Sequence, residues 1–393
     1  MSAVNYDVTI LGAGPVGLAL AAALARERLT VALVDRAPVA VLDRSSIDSE
    51  DWDARVYAIS PGSAEFLHGL GVWQRLPAER LAPIEAMDVH GDAGGRIEFN
   101  AYELGERALA WIAENRELVA ALTEAVRTCE GIDVVAPVDP ESIVWRGEAA
   151  EVRLAGGRKL SSRLVVGADG LRSWARAQAG IAREPRSYGQ TAVVANFATE
   201  HAHRGFAFQW FLAGRGVLAW LPLPGRRISI VWSAPDALAQ ELLALDAQAL
   251  AARVADAGIR MVGELRLITP AAAFTLSFLR LPSVVAHRLA LAGDAAHGVH
   301  PLAGQGVNLG FGDAAALARV LGARGPVADV GAPILLERYA HRRALPVLAM
   351  QAVTDGLVRL FDLPALRMLR NGGMRAVGSI GPLRRLLAQP ALR

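Results

Sequence analysis

The stretch from Val8 to Arg26 leaves the backbone few choices. Residues 8–11 are apolar and β-branched, residues 12–17 read Gly-Ala-Gly-Pro-Val-Gly, and residues 18–26 are rich in alanine and leucine. That is a buried strand, a tight turn and a helix, and a second strand over residues 30–34 follows, ending on Asp35. The glycines differ in what they allow. Gly12 permits the turn, Gly14 lets backbone N–H groups approach a pyrophosphate, and Gly17 lets helix and strand pack closely. Pro15 suits a first helical turn, where its missing N–H would have had no partner. The positive end of the helix dipole then faces the phosphates. Asp35, 18 residues after Gly17, is placed to accept from ribose hydroxyls. The same glycines would also serve a plain βαβ packing turn. Strand, helix, second strand and terminal acid together favour a dinucleotide, with NAD and FAD both open.

Residues 8–25 are apolar apart from Thr9, the length of a membrane span. Asp7 precedes them without a lysine or arginine, and the ordered glycines divide the run into strand and helix, so a soluble protein is expected. Composition narrows the chemistry. Apolar residues make up 53% of the 393, enough for a sizeable core, and a net charge of +2 is no footprint for nucleic acid. One cysteine, Cys129, excludes an internal disulfide framework, a cysteine-based zinc site and an iron–sulfur cluster. The reaction must come from acid–base groups, other ligands or an organic cofactor.

Two further segments bear on that cofactor. Residues 164–176, Leu-Val-Val-Gly-Ala-Asp-Gly-Leu-Arg-Ser-Trp-Ala-Arg, run from a strand into an Asp-Gly turn around Asp169. Residues 289–310 run from a strand through Gly293-Asp294 and a glycine-dense loop into an alanine-rich helix. Asp294 at a strand end can hydrogen-bond a polyol. The helix start near residues 304–308 offers N–H groups and a positive dipole to the negative charge of a reduced flavin.

In this order the three segments resemble the class A FAD-dependent aromatic monooxygenases. Residues 53–59 (Asp-Ala-Arg-Val-Tyr-Ala-Ile), 114–118 (Glu-Asn-Arg-Glu-Leu) and 339–343 (Tyr-Ala-His-Arg-Arg) are similar to the ubiquinone-biosynthesis hydroxylase branch of that family. The likeness covers nearly the whole chain. It implies an α/β fold like that of p-hydroxybenzoate hydroxylase. A Rossmann-like FAD-binding domain (residues 1–78, 103–182 and 281–343) would carry an inserted mixed β-sheet substrate domain (79–102 and 183–280) and a C-terminal helical segment (344–393). It implies that Gly12, Gly14, Pro15 and Gly17 hold the FAD pyrophosphate and Asp35 the adenosine ribose, with Arg36 beside it. Arg55 and Arg116 would approach the FAD and Asp169 its pyrophosphate side. Asp294 would hold the ribityl chain, and Pro301, Gly304, Gly306, Val307 and Asn308 would lie along the isoalloxazine. The implied reaction is hydroxylation of a prenylated phenol: NAD(P)H reduces FAD, O2 adds as a C4a-hydroperoxyflavin, and no dedicated catalytic side chain is expected. The same flavin chemistry on a soluble aromatic or secondary metabolite, and a flavin-bound assembly subunit without turnover, stand as alternatives.

No second glycine cradle for NAD(P)H is found. Strand texture over residues 191–197, 206–211, 216–221 and 227–232 marks the substrate sheet, and Phe208, Trp210 and Trp220 are candidates to line an aromatic pocket. His297 with His300, and His201 with His203, have metal-ligand spacing but lack companion ligands, so no metal is expected. Residues 342–393 hold nine arginines and two aspartates among Leu, Met, Val and Phe. They read as helices packed on the FAD domain, or as a peripheral contact with an anionic membrane or a biosynthetic assembly. The expected location is cytoplasmic, with a peripheral position at the inner face of the membrane as the variant.

Overall fold

Two sheets set at a shared cavity organise the computed structural model, which describes residues 5–39, 42–44, 50–181, 183–325 and 327–392. The chain opens with β1 (Tyr6–Leu11), α1 (Pro15–Arg26) and β2 (Val31–Val34). After β3 (Val56–Ile59) and α2 (Pro61–Gly69) come β4 (Ala82–Ile84), β5 (Ala86–His90), β6 (Arg96–Asn100), the single turn α3 (Ala101–Leu104) and β7 (Ala110–Glu114). The chain then returns through α4 (Asn115–Arg127), β8 (Ile132–Val135), β9 (Pro140–Trp145), β10 (Ala150–Leu154), β11 (Lys159–Gly167) and α5 (Trp174–Gln178).

A run of strands follows: β12 (Arg186–Thr199), β13 (Phe206–Leu212), β14 (Gly216–Leu223) and β15 (Arg227–Pro235). Next are α6 (Asp236–Ala244), α7 (Ala247–Ala257), β16 (Leu265–Leu267) and β17 (Ala272–Arg280). The last part holds β18 (Val285–Ala286), β19 (Leu289–Leu291), β20 (His297–Gly298), α8 (Gly306–Gly322), α9 (Pro333–Asp362), α10 (Arg367–Ser379) and α11 (Gly381–Leu392).

The first sheet runs β18-β19-β11-β1-β2-β8, with β10 and β9 extending from β11. β1 is parallel to both β2 and β11, and its Val8 and Ile10 are wholly buried, as a central parallel strand covered on both faces requires. On one face α1, α4 and α8 interlock through Leu18, Leu20, Leu122 and Leu317. The other face is covered by β9, β10 and α5.

The second sheet runs β20-β17-β12-β15-β14-β13-β5-β6. Its strands alternate, so one face buries Phe208, Trp220 and Trp232 against α6 and α7 and the other is free to cover something else. Within residues 79–102, β5 and β6 join this sheet through a parallel pairing of β5 with β13, while β4 pairs instead with β7 in a separate three-stranded sheet with β3. β20, from the third glycine-rich segment, closes the opposite edge by pairing with β17. The two sheets are thereby stitched together beside the cavity.

Candidate functional site

The turn after β1 shows which of its glycines serve the fold. A Cβ on Gly17 would lie 1.9 Å from the carbonyl oxygen of Gly12, and one on Gly12, whose φ is +107°, would lie 2.3 Å from that of Ala168. Both positions are glycine because backbone meets backbone there. Gly14 differs. Its φ and ψ, −70° and 179°, are open to any residue, and a Cβ there would meet no protein atom within 4 Å. It borders the cavity together with Gly12 and Pro15. The space beside Gly14 is therefore not claimed by packing, and a group that approaches the backbone closely fits it. α1 begins there with no side-chain cap, so its first N–H groups point outward unclaimed by a side chain.

Asp35 reaches the cavity from the end of β2. Its carboxylate accepts from the N–H of Ala13 at 2.6 Å and of Ala37 at 2.7 Å, which holds the glycine turn against β2 and leaves further lone pairs for a ligand. Arg36 borders the same space and pairs with Asp139 at 3.2 Å.

The third segment folds as a hinge between β19 and α8. Gly293 takes a φ of +61°, which turns Asp294 into the cavity. The surrounding cavity walls desolvate the Asp294 carboxyl and raise it above the ordinary range, against the pull of His297 and Arg55, although the side chain itself is open to the cavity. A hydroxyl-bearing ligand would relieve that cost by donating to it. Pro301, Gly304, Gly306, Val307 and Asn308 all border the cavity, and Gly306 again meets no protein atom within 4 Å of a Cβ. α8 starts at Gly306 without a side-chain cap, as α1 does at its own end of the cavity. Asn308 is less free than its neighbours. Its amide donates to Ala58 O at 2.8 Å and accepts from Ser60 N at 3.0 Å, tying the loop to β3.

Behind this hinge stands a group that no motif in the sequence announces. Asp313 is fully buried and accepts from Gly293 N at 2.8 Å, His297 Nε2 at 2.6 Å and Arg343 Nε at 2.6 Å. Burial alone would raise its carboxyl, but His297 and Arg343 outweigh that and hold it below the usual range. One sequence signal could have found it, since Asp313 is the single acid in α8, among mostly apolar residues. A lone acid on a buried helix face implies partners.

Asp169 comes in on the turn after β11. One oxygen accepts from Ala175 N at 2.9 Å and the other, Oδ1, is buried without a partner, at the cavity wall. Arg55 borders the cavity too, its guanidinium 5.2 Å from the ring centres of both Tyr57 and Phe274. Arg116 does not reach the cavity wall. It sits at the start of α4 and is drawn to Asp51, donating to its carboxylate at 2.9 Å and its carbonyl at 2.6 Å. In this structure Asp51 is its main partner.

The aromatic expectation is also corrected. Phe208, Trp210 and Trp220 do not line the cavity; they pack with one another and with α6 and α7 on the far face of the second sheet. Their strand neighbours of opposite parity, Ala207, Gln209, Phe211, Ala219 and Leu221, form the cavity roof. Three of the four histidines are occupied elsewhere. His297 serves Asp313, His300 donates from Nε2 to Gln190 Oε1 at 2.9 Å, and His203 Nε2 donates to Leu223 O at 2.8 Å. Burial pushes the His300 imidazole down to about 4, so it is neutral. Among the described residues no three His, Cys, Asp or Glu side chains are grouped as a metal would need.

One cavity of about 2600 Å³ unites these walls. Pockets for drug-sized ligands measure roughly 300–1,000 Å³, so the space accommodates an extended dinucleotide and a second molecule beside it. Two uncapped helix starts for anionic groups, two glycines with open space, and carboxylates Asp35, Asp169 and Asp294 along the wall fit a dinucleotide with a polyol linker.

Comparison with known proteins agrees. A family model described as FAD binding domain matches residues 5–354. Ubiquinone hydroxylase UbiL of Rhodospirillum rubrum is 37% identical over 98% of this chain and 89% of its own length. The 3-demethoxyubiquinol 3-hydroxylase of Escherichia coli is 33% identical over 98% of both chains. Among solved structures, Pseudomonas aeruginosa PqsL in complex with 2-aminobenzoylacetate superposes with a TM-score of 0.77 at 24% identity, over 94% of this chain and 99% of that one. The p-nitrophenol 4-monooxygenase PnpA of Pseudomonas putida gives 0.77 at 17% identity over 98% of each. At those identities the structures speak for the fold.

Proposed function

The chain belongs to the FAD-binding-domain family, and on that premise we propose that it is a monooxygenase using FAD, NAD(P)H and O2 to hydroxylate the aromatic ring of a polyprenylated phenol in ubiquinone biosynthesis. The observation that carries this reading is the continuity of the cavity, from the glycine turn at Gly14 through Asp294 to the small-residue face of the second sheet. In this assignment the Gly12–Gly17 turn and the start of α1 hold the pyrophosphate. Asp35 takes the adenosine ribose, Asp169 borders the pyrophosphate side, and Asp294 accepts from the ribityl hydroxyls. Arg36 and Arg55 flank the cofactor. The N–H groups at the start of α8 face the flavin ring, where Pro301, Gly304, Gly306 and Val307 allow close approach and Asn308 fixes the loop. Bound FAD, once reduced by NAD(P)H, supplies the activated oxygen. The protein's part is to orient the ring under Ala207, Gln209, Ala219 and Leu221 and to keep bulk water out.

The FAD-binding domain of this proposal comprises residues 1–78, 103–182 and 281–343, the substrate domain residues 79–102 and 183–280, and residues 344–393 form a helical flank. The proposal extends to a cytoplasmic enzyme with a peripheral contact at the inner face of the membrane, a contact that a prenylated substrate favours.

The test is a visible spectrum of the purified protein, followed by NAD(P)H consumption under air with short-tailed and long-tailed prenylphenols and with small soluble phenols. A yellow protein that consumes NAD(P)H with prenylphenols, giving products heavier by one oxygen, supports the reading. Stimulation by the soluble phenols alone transfers the activity to a soluble aromatic. Bound FAD without stimulation by any phenol makes the chain an assembly subunit.

A further inference from the structure

The C-terminal helices carry their polarity the wrong way round for a water-facing surface. In α9 the side turned to the body holds Gln351, which donates to Leu279 O at 2.7 Å, and Thr354, both buried. The outward side between them and the helix start holds Leu345, Leu348 and Val353, at 75%, 36% and 57% exposure. With 100° per residue Leu345 and Leu348 fall on one stripe with Ile334, which is 62% exposed, and Val353 lies on its flank, about 80° round the helix from Leu345. The most apolar 18-residue window of α9 has a mean hydropathy of 1.3 and is only 17% buried.

α10 repeats the inversion. Arg370 and Asn371 face inward and bind Asp92 and the β5–β6 turn, while Met368 and Leu369 are exposed at 74% and 72%. Arg338 and Arg342 lie on the same outward stripe of α9 as Leu345. Arg338, Arg342, Arg375 and Arg385 are exposed and without a carboxylate partner among the described residues. The cavity reaches the surface on this side, with Leu345, Val353 and Leu386 in its wall.

We infer that α9 and α10 present an interfacial docking face for an anionic lipid surface, and that the cavity mouth at Leu345, Val353 and Leu386 opens directly into that surface as a loading port for a long apolar chain. A membrane is favoured over a second copy of this chain by two observations. The face carries an excess of cations, with Arg338, Arg342, Arg375 and Arg385 against Glu337, which disfavours a self-complementary contact, and it surrounds an opening whose mainly apolar walls call for an apolar medium outside. α9 is long enough to cross a bilayer, but the bonds of Gln351, Arg343 and Tyr339 to the body hold it along the surface, so the helix lies in the interface. The docking face stands independently of the substrate; the loading role rests on the function proposed above.

The experiment is flotation of the FAD-bound, full-length protein with vesicles of phosphatidylglycerol and phosphatidylcholine, and with phosphatidylcholine alone, without substrate. The protein is expected to float with the anionic vesicles and much less with the neutral ones, and to be released in part by salt. Neither Ile334 nor Leu348 lines the cavity. The double substitution Ile334→Glu with Leu348→Glu is expected to weaken anionic-vesicle binding on the order of tenfold or more, with FAD content and turnover of a short-tailed soluble phenol unchanged. Arg338→Glu with Arg375→Glu should abolish the preference for anionic lipid. Absence of flotation, flotation indifferent to both variants, or a dimer in light scattering that the first variant dissolves would each overturn the inference. Flotation by a protein whose NAD(P)H oxidation no phenol stimulates supports the docking face and overturns the hydroxylation reading.

Discussion

Gly14 and Gly17 stand three residues apart and answer to different masters. Gly17 is glycine for the protein, because a methyl group would enter the Gly12 carbonyl; Gly14 is glycine with no protein neighbour to demand it. Gly17→Ala should therefore lower the melting temperature. Gly14→Val should leave far-ultraviolet dichroism and melting of the apoprotein near wild type while weakening FAD retention on the order of tenfold or more, as a side chain displaces the pyrophosphate. A yellow Gly14→Val protein would reassign the space beside that turn. Asp313 gives a second residue-scale expectation. Its carboxyl lies below its ordinary value, so the stability it contributes is complete above the unfolded pKa and is lost as pH falls through the folded one. Asp313→Asn should cost about 3–5 kcal/mol near neutrality, as expected when one partner of a buried charge network is removed. It should also flatten the acid side of the stability profile measured by urea unfolding.

At the scale of elements, the glycine-rich turns and the strands of the second sheet are legible in the sequence, because turn chemistry and β-branched runs are local. The strands expected at residues 191–197, 206–211, 216–221 and 227–232 correspond to β12–β15, each of which runs longer than the sequence suggests. What local pattern does not supply is the choice of face. Phe208, Trp210 and Trp220 attract attention as an aromatic pocket, yet a strand has two sides and the bulky one goes to α6 and α7. The helix pair needs an apolar partner, and a ligand needs room, so the face with the alanines Ala207 and Ala219 borders the cavity. Arg116 escapes local pattern for a similar reason: its partner Asp51 is 65 positions away. Neighbours on β14 make the division measurable. Trp220→Ala should destabilise the fold by about 3–5 kcal/mol, with FAD still bound. Ala219→Trp should leave urea unfolding within about 1 kcal/mol, since it grows into open space, while raising KM or abolishing substrate-stimulated NAD(P)H oxidation. The reverse pattern would return the aromatic cluster to the site.

Over the whole molecule, the two sheets share one cavity, so a ligand spanning it braces both. FAD at a hundredfold excess over its Kd should stabilise the protein by about 2.7 kcal/mol relative to the apoprotein. Removal by acid ammonium sulfate or chaotrope should lower the melting temperature accordingly, and re-addition should restore it. An apoprotein that melts with the holoprotein would mean that FAD does not bind the native fold in preference to the unfolded chain. The three-segment architecture is legible because each glycine-rich stretch announces itself. The buried brace of His297, Asp313 and Arg343 is not, because it joins elements whose proximity only the folded chain reveals.

The placement of those segments along the chain has a temporal meaning as well. β1 emerges first in synthesis but cannot gain β11 at its side until residue 164 has been made, and the start of α8 waits until residue 308 of 393. A nascent chain therefore carries a half-built nucleotide grip until the third segment has been made. Flavin capture follows the synthesis of all three segments, and α10 and α11 arrive after them to close the flank.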